Sequence, residues 1–126
     1  MMALRVLVVD DDVLNLRIAA RLLRDLGHSG ALAGDGEKAL QLAQQQPFDL
    51  MLLDINMPQL SGEETLRALR NQQQRAGQRP IPVLMVSGHS GEETRRHFID
   101  LGANGFLEKP LQLAELQAEL AQLDGK

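Results

Sequence analysis

A doubly wound α/β sandwich, a parallel sheet with helices on both faces, is predicted by three features of this 126-residue chain. The apolar runs Val6-Leu7-Val8-Val9, Leu50-Met51-Leu52-Leu53 and Val83-Leu84-Met85-Val86 have the length and Val/Leu content of strands buried on both faces. Amphipathic stretches of helical length separate such runs, so that strands and helices alternate five times. Each run also ends in polar residues: Asp10-Asp11 after the first, Asp54 after the second, Ser87 after the third, and Lys109-Pro110 after a shorter fourth, Gly105-Phe106-Leu107. In an open parallel sheet a ligand binds beyond the carboxyl ends of the strands. Three carboxylates, a hydroxyl and an ammonium are therefore expected on one edge.

The elements follow in order. The first strand covers Arg5 to Val9, and the first helix Val13 to Leu26, with Asp12 as N-cap and Gly27 as stop. Leu14, Ile18, Leu22 and Leu26 are its expected apolar stripe. A weaker strand, Ser29 to Ala33, leads through Gly34-Asp35-Gly36 into a helix from Glu37 to Gln45, which Pro47 ends. Asp49 opens the third strand. Ser61 and Glu64 form a capping box for a third helix, expected to fade between Asn71 and Gly77. Pro80 and Pro82 bracket the approach to the fourth strand, and Ser90 with Glu93 reads as a second capping box. Gly102-Ala103-Asn104-Gly105 turns the chain into the fifth strand, and the last helix covers Leu111 to Leu123. Leu113, Leu116, Leu120 and Leu123 on that helix are expected to pack on the sheet, a single helix being too short for a coiled coil.

Composition excludes several classes. With 44% hydrophobic residues and no second apolar pattern, residues 1–126 are expected to form one domain with one core. The absence of cysteine removes disulfides, thiolate metal sites and cysteine nucleophiles. A net charge of −4 and only three aromatics (Phe48, Phe98, Phe106) speak against direct nucleic-acid binding. No run approaches the roughly 20 apolar residues of a membrane span, so a cytoplasmic protein without membrane contact is expected. Arg67, Arg70, Arg75 and Arg79, like Arg95 and Arg96, read as solvated faces; His28 and His97 read as surface residues.

A carboxylate that accepts a phosphoryl group must have its charge offset, because the incoming group is also anionic. Mg²⁺ is the hard, oxygen-seeking ion suited to this. Asp10 and Asp11 offer acidic ligands, while Asp54 is placed to be both ligand and nucleophile, forming an acyl phosphate. Lys109 offers an ammonium and Ser87 a hydroxyl to the phosphoryl oxygens. In Ile55-Asn56-Met57-Pro58, stiffened by Pro58, the backbone carbonyl near Asn56 is a candidate to complete the metal shell.

Asp10-Asp11, Leu53-Asp54-Ile55-Asn56-Met57-Pro58 with Gly62 beyond, Val86-Ser87-Gly88, and Gly105-Phe106-Leu107-Glu108-Lys109-Pro110 occur in an order and spacing that resemble the receiver domain of bacterial two-component response regulators, from Arg5 to about Leu123. The resemblance implies a flavodoxin-like five-stranded sheet of order 2-1-3-4-5. It also implies that Asp54 takes a phosphoryl group from a histidine kinase or histidine phosphotransfer protein, with Mg²⁺ on Asp10 and Asp11 and with Lys109 on the phosphate. Ser87 and Phe106 would switch the surface of the fourth helix, fifth strand and fifth helix, the Lys109–Pro110 bond would be cis, and the chain would be a monomer or a phosphorylation-dependent dimer. Phe106 stands where tyrosine is more familiar and Gly88 where alanine is common. Asn56 and His89 fall at positions that tune the phosphate's lifetime. On this reading the protein is a signalling switch rather than an enzyme. The alternatives are a small Mg²⁺-dependent phosphohydrolase with Asp54 as nucleophile, which would want a general acid where Asn56 stands, and a pseudo-receiver that binds without being phosphorylated.

Overall fold

The predicted alternation is present throughout the structure, a computed structural model that describes residues 3–88 and 91–124. Strands β1 (Arg5–Val9), β2 (Ser29–Ala33), β3 (Leu50–Asp54), β4 (Val83–Ser87) and β5 (Gly105–Glu108) alternate with helices α1 (Val13–Asp25), α2 (Gly36–Gln45), α3 (Gly62–Arg75), α4 (Glu92–Asp100) and α5 (Leu113–Asp124). All strand pairs are parallel, in the order β2-β1-β3-β4-β5. The chain leaves β1 to one side for β2 and returns on the other for β3, so a crevice opens beyond the carboxyl ends of β1 and β3.

Alternation of side chains along the strands divides the core in two. Val6, Val8, Leu50, Leu52, Leu84, Val86 and Leu107 face α1 and α5, against Leu16, Ala19, Leu23, Leu116 and Leu120. Leu7, Val9, Met51, Leu53, Val83, Met85 and Phe106 face α2, α3 and α4, against Ala39, Leu66, Leu69 and Phe98. The buried β3 and β4 are apolar on both faces, which is why they read as uninterrupted runs.

Several expectations need correction. On α1 the buried residues are Leu16, Ala19 and Leu23, whereas Leu14 and Ile18 are exposed. A strict step of four residues turns about 400°, so the stripe drifts around the helix, while spacings of three and four hold one face. α3 runs to Arg75, within the expected Asn71–Gly77 stretch, but its last turn is anchored: Gln73 is buried and the Gln72 amide donates to the Leu40 carbonyl. Arg70 is not simply solvated: its guanidinium donates to the Ile81 and Gly102 carbonyls and to the side chains of Gln73 and Asn104, joining α3 to the loops before β4 and β5. Burial draws its pKa down. His28 is buried, and its Nδ1 accepts the Leu4 N–H at 2.9 Å.

Boundaries shift by a residue or two. Asp49 precedes β3, and its carboxylate accepts the Arg5 N–H at 2.8 Å. α4 has Gly91 as N-cap with no side-chain hydrogen bond; Ser90 of the expected capping box lies outside the described residues. α5 starts at Leu113. The caps from Asp12, Asp35 and the Ser61–Glu64 box are formed, and α1 ends at Gly27 with φ 88°, a left-handed turn that suits glycine.

The corrected α1 face has a direct consequence for stability. Leu23→Ala is expected to cost about 2–5 kcal/mol in urea unfolding and Leu14→Ala less than about 0.5 kcal/mol. Equal costs would contradict this packing.

Candidate functional site

Strand register gathers the predicted residues. Val9 stands opposite Leu53, Asp54 opposite Val86, and Ser87 opposite Glu108, so four strands end on one edge. Asp10 leaves β1 with its N–H bonded to the Ala33 carbonyl at 3.1 Å. Asp10 and Asp54 are buried and Asp11 is exposed, and one carboxylate oxygen from each lies within 4.8 Å of the others.

Lys109 is the centre of this group. Its Nζ lies 3.0 Å from Asp10 Oδ2 and 3.2 Å from Asp54 Oδ1. The Lys109 N–H donates to the Ser87 carbonyl at 2.8 Å, which registers the loop after β5 against the end of β4. Ser87 is itself buried, and the Lys109–Pro110 bond is cis, as the resemblance implies. Backbone donors hold the acids in place: the Asp12 N–H to Asp10 Oδ1 at 2.9 Å, and the Asn56 N–H to Asp54 Oδ1 at 3.3 Å.

Burial, followed by the Asp10 charge, pushes the Asp54 pKa above its ordinary value, against the opposing pull of Lys109 and the Asn56 N–H. Burial also works against the Lys109 ammonium, but its hydrogen bonds to Asp10 and Asp54 and their charges outweigh this and raise its pKa. Three carboxylates and one ammonium leave two negative charges, the charge that one divalent cation offsets. All three acidic donors are hard oxygens, so the set fits Mg²⁺ better than a softer metal.

The backbone after Asp54 is fixed by close packing. Gln59 takes a left-handed φ of 66° and turns the chain back, and the Gly62 N–H donates to the Ile55 carbonyl at 2.9 Å. A Cβ at Gly62 would stand 2.3 Å from the Asp54 carbonyl oxygen and 2.7 Å from Ile55 Cα. The start of α3 therefore rests directly on the peptide that carries Asp54.

Phe106 is buried, with its ring centroid 6.4 Å from that of Phe98, the single buried residue of α4. Asn56 is exposed at the mouth of the site, and His89 lies outside the described residues. Sequence reading missed Glu63 and His97, which pair across α3 and α4 at 2.7 Å. With 34 positions between them, only the fold brings them together. No helix among the described residues is long and apolar enough to cross a membrane.

Residues 6–121 match the family model described as the response regulator receiver domain. The chain is 39% identical over 115 residues to the transcriptional regulatory protein ZraR of Escherichia coli (strain K12), spanning 91% of this chain but only about a quarter of that protein. A solved structure of the chemotaxis protein CheY4 of Vibrio cholerae is 32% identical, with a TM-score of 0.85 over 96% of this chain and 98% of that one. The co-crystal structure of the Saccharomyces cerevisiae histidine phosphotransfer signalling protein Ypd1 with the receiver domain of its downstream response regulator Ssk1 matches at a TM-score of 0.88 and 26% identity, over 95% of this chain and 88% of the matched one.

The contact at Gly62 can be tested by adding the missing methyl group. Gly62→Ala is expected to destabilise the fold by about 1–3 kcal/mol, because the obstructing atoms are backbone and cannot rotate away. An unchanged urea midpoint would contradict that packing.

Proposed function

The chain belongs to the response regulator receiver domain family of two-component signalling, and on that premise we propose that Asp54 is the phosphoacceptor, served by Lys109, Ser87 and a Mg²⁺ ion held by Asp10, Asp11, Asp54 and the Asn56 backbone carbonyl. The observation that carries this reading is the Lys109 ammonium, shared between two buried carboxylates at 3.0 and 3.2 Å.

The steps follow from these residues. Asp54 attacks the phosphorus of a partner's phosphohistidine; a P–O bond forms, the P–N bond breaks, and its electron pair returns to the imidazole. Lys109 keeps its positive charge through the step, since both neighbouring acids favour its protonated form. Its ammonium then neutralises phosphoryl oxygens close to Asp54, and the Ser87 hydroxyl adds a donor from the end of β4. When bound, the metal ion offsets the charge shared by the acids and the phosphoryl group. Water later attacks the acyl phosphate, releasing inorganic phosphate and restoring the Asp54 carboxylate.

The readout begins at Ser87. Rearrangement there is carried to Phe106 on the neighbouring strand and, through its packing on Phe98, to α4. The phosphorylated state thus shifts a two-state equilibrium at the face made by α4, β5 and α5. Val13 and Leu14, exposed on the first turn of α1 beside the carboxylates, suit a partner that presents its phosphohistidine on an apolar surface. The protein works as a switch in the cytoplasm and turns over no metabolite. Asn56 and His89 set the phosphate's lifetime.

Incubation with acetyl phosphate and Mg²⁺, followed on a phosphate-affinity gel, is expected to give a base-labile band that is absent in Asp54→Asn and after EDTA treatment. Lys109→Ala is expected to slow labelling by about two orders of magnitude, the usual loss for one charge-stabilising donor. Labelling that survives in Asp54→Asn would move the acceptor elsewhere, and steady turnover of aryl phosphates would favour a phosphohydrolase. His89→Ala is expected to change the dephosphorylation rate; an unchanged rate removes that residue from lifetime control.

A further inference from the structure

Helix α4 is held to the sheet by one buried side chain, Phe98. Its N-cap, Gly91, supplies no side-chain hydrogen bond, and Glu92, Glu93, Arg95, Arg96, His97, Ile99 and Asp100 are all exposed. Polar contacts tie its flanks to neighbouring helices. On the α5 side, Arg95 lies 3.9 Å from Glu119 and its guanidinium carbon 5.9 Å from the Phe106 ring centroid, both near the outer limit for such contacts. On the α3 side, His97 Nε2 lies 2.7 Å from Glu63 Oε1, the length of a strong, charge-assisted hydrogen bond. Arg67 Nε donates to the other Glu63 oxygen at 3.2 Å and steadies the carboxylate.

The place of Glu63 in the chain gives this contact its meaning. It directly follows Gly62, whose N–H bonds the Ile55 carbonyl and which lies so close to the Asp54 carbonyl that a Cβ would meet it at 2.3 Å. Two consecutive residues therefore join the phosphoacceptor's own backbone to α4, one through its main chain and one through its side chain. Between the two lies an open groove lined by Ile55, Asn56, Thr94 and Phe98, with Glu63 and His97 among its walls.

We propose that the Glu63–His97 pair is a strap that fixes α4 to the backbone step carrying Asp54, so that the position of α4 and the state of Asp54 bias one another. The physical basis is a weakly anchored helix whose arrangement is favoured by a contact made in the position seen here. An imidazole with its hydrogen on Nε2 donates directly to the Glu63 carboxylate. The proposal rests on the reading that α4 responds to phosphorylation of Asp54.

Amide hydrogen exchange over residues 92–100 of the full chain tests it, with Mg²⁺ alone and with Mg²⁺ plus beryllofluoride, an acyl-phosphate mimic whose binding is followed by fluorine NMR. Without beryllofluoride, His97→Ala and Glu63→Ala are each expected to speed α4 exchange about two- to five-fold, the effect of one exposed pair. The double variant should be no faster than either single one, and His97→Gln, which keeps a donor, should restore protection. The change caused by beryllofluoride in α4 should shrink in both single variants. Wild-type exchange in His97→Ala, or additive effects in the double variant, would overturn the strap while leaving the phosphoacceptor reading intact. Bound beryllofluoride with no change in wild-type α4 exchange would overturn that reading and the strap together.

Discussion

Two ionised carboxylates are costly to bury in one pocket unless a cation stands between them. Asp10 and Asp54 come from neighbouring strands, yet the ammonium that joins them comes from beyond β5, on the far side of β4. The arrangement therefore needs β1, β3, β4 and β5 in their places. The Lys109 N–H reaches the Ser87 carbonyl, so the backbone bond that seats the loop also aligns the hydroxyl-bearing residue of β4. Neutralisation is still incomplete, since Asp11 adds a third carboxylate. In the function proposed for this site, that residual charge is what a divalent cation would offset, and a phosphoryl group would add further negative charge for the same donors to hold. Electrostatic demand and sheet order are thus parts of one design.

The strands and the carboxylate site were legible because both rest on local pattern. A strand buried on both faces is a run of apolar residues, and a site at the carboxyl edge is whatever polar residue follows that run. Asp10, Asp54, Ser87 and Lys109 all sit in such positions. The capping residues Asp12 and Ser61 are equally local, because each bonds within three residues of itself. What escaped notice depends on residues far apart in the chain. His28 and Arg70 looked like solvated polar residues, but their partners are backbone groups of other segments, which only the folded chain brings within reach. The α1 stripe held only in its second half, where Leu22 and Leu26 pack against the core; four leucine-type residues at a step of four are conspicuous in a sequence, whereas Ala19, central to the real face, is not. The Glu63–His97 pair combines both difficulties, being polar and distant.

The two cores on opposite sides of the sheet share no buried side chain. The layer beneath α1 and α5 ends in the residues that carry charge, and the layer beneath α2, α3 and α4 contains Phe106 and Phe98. Both layers are carried by the same strands, whose alternate residues fill one and then the other. The proposed output face straddles the two, with α4 over one layer and α5 over the other, so side chains buried on either side of the sheet bear on it.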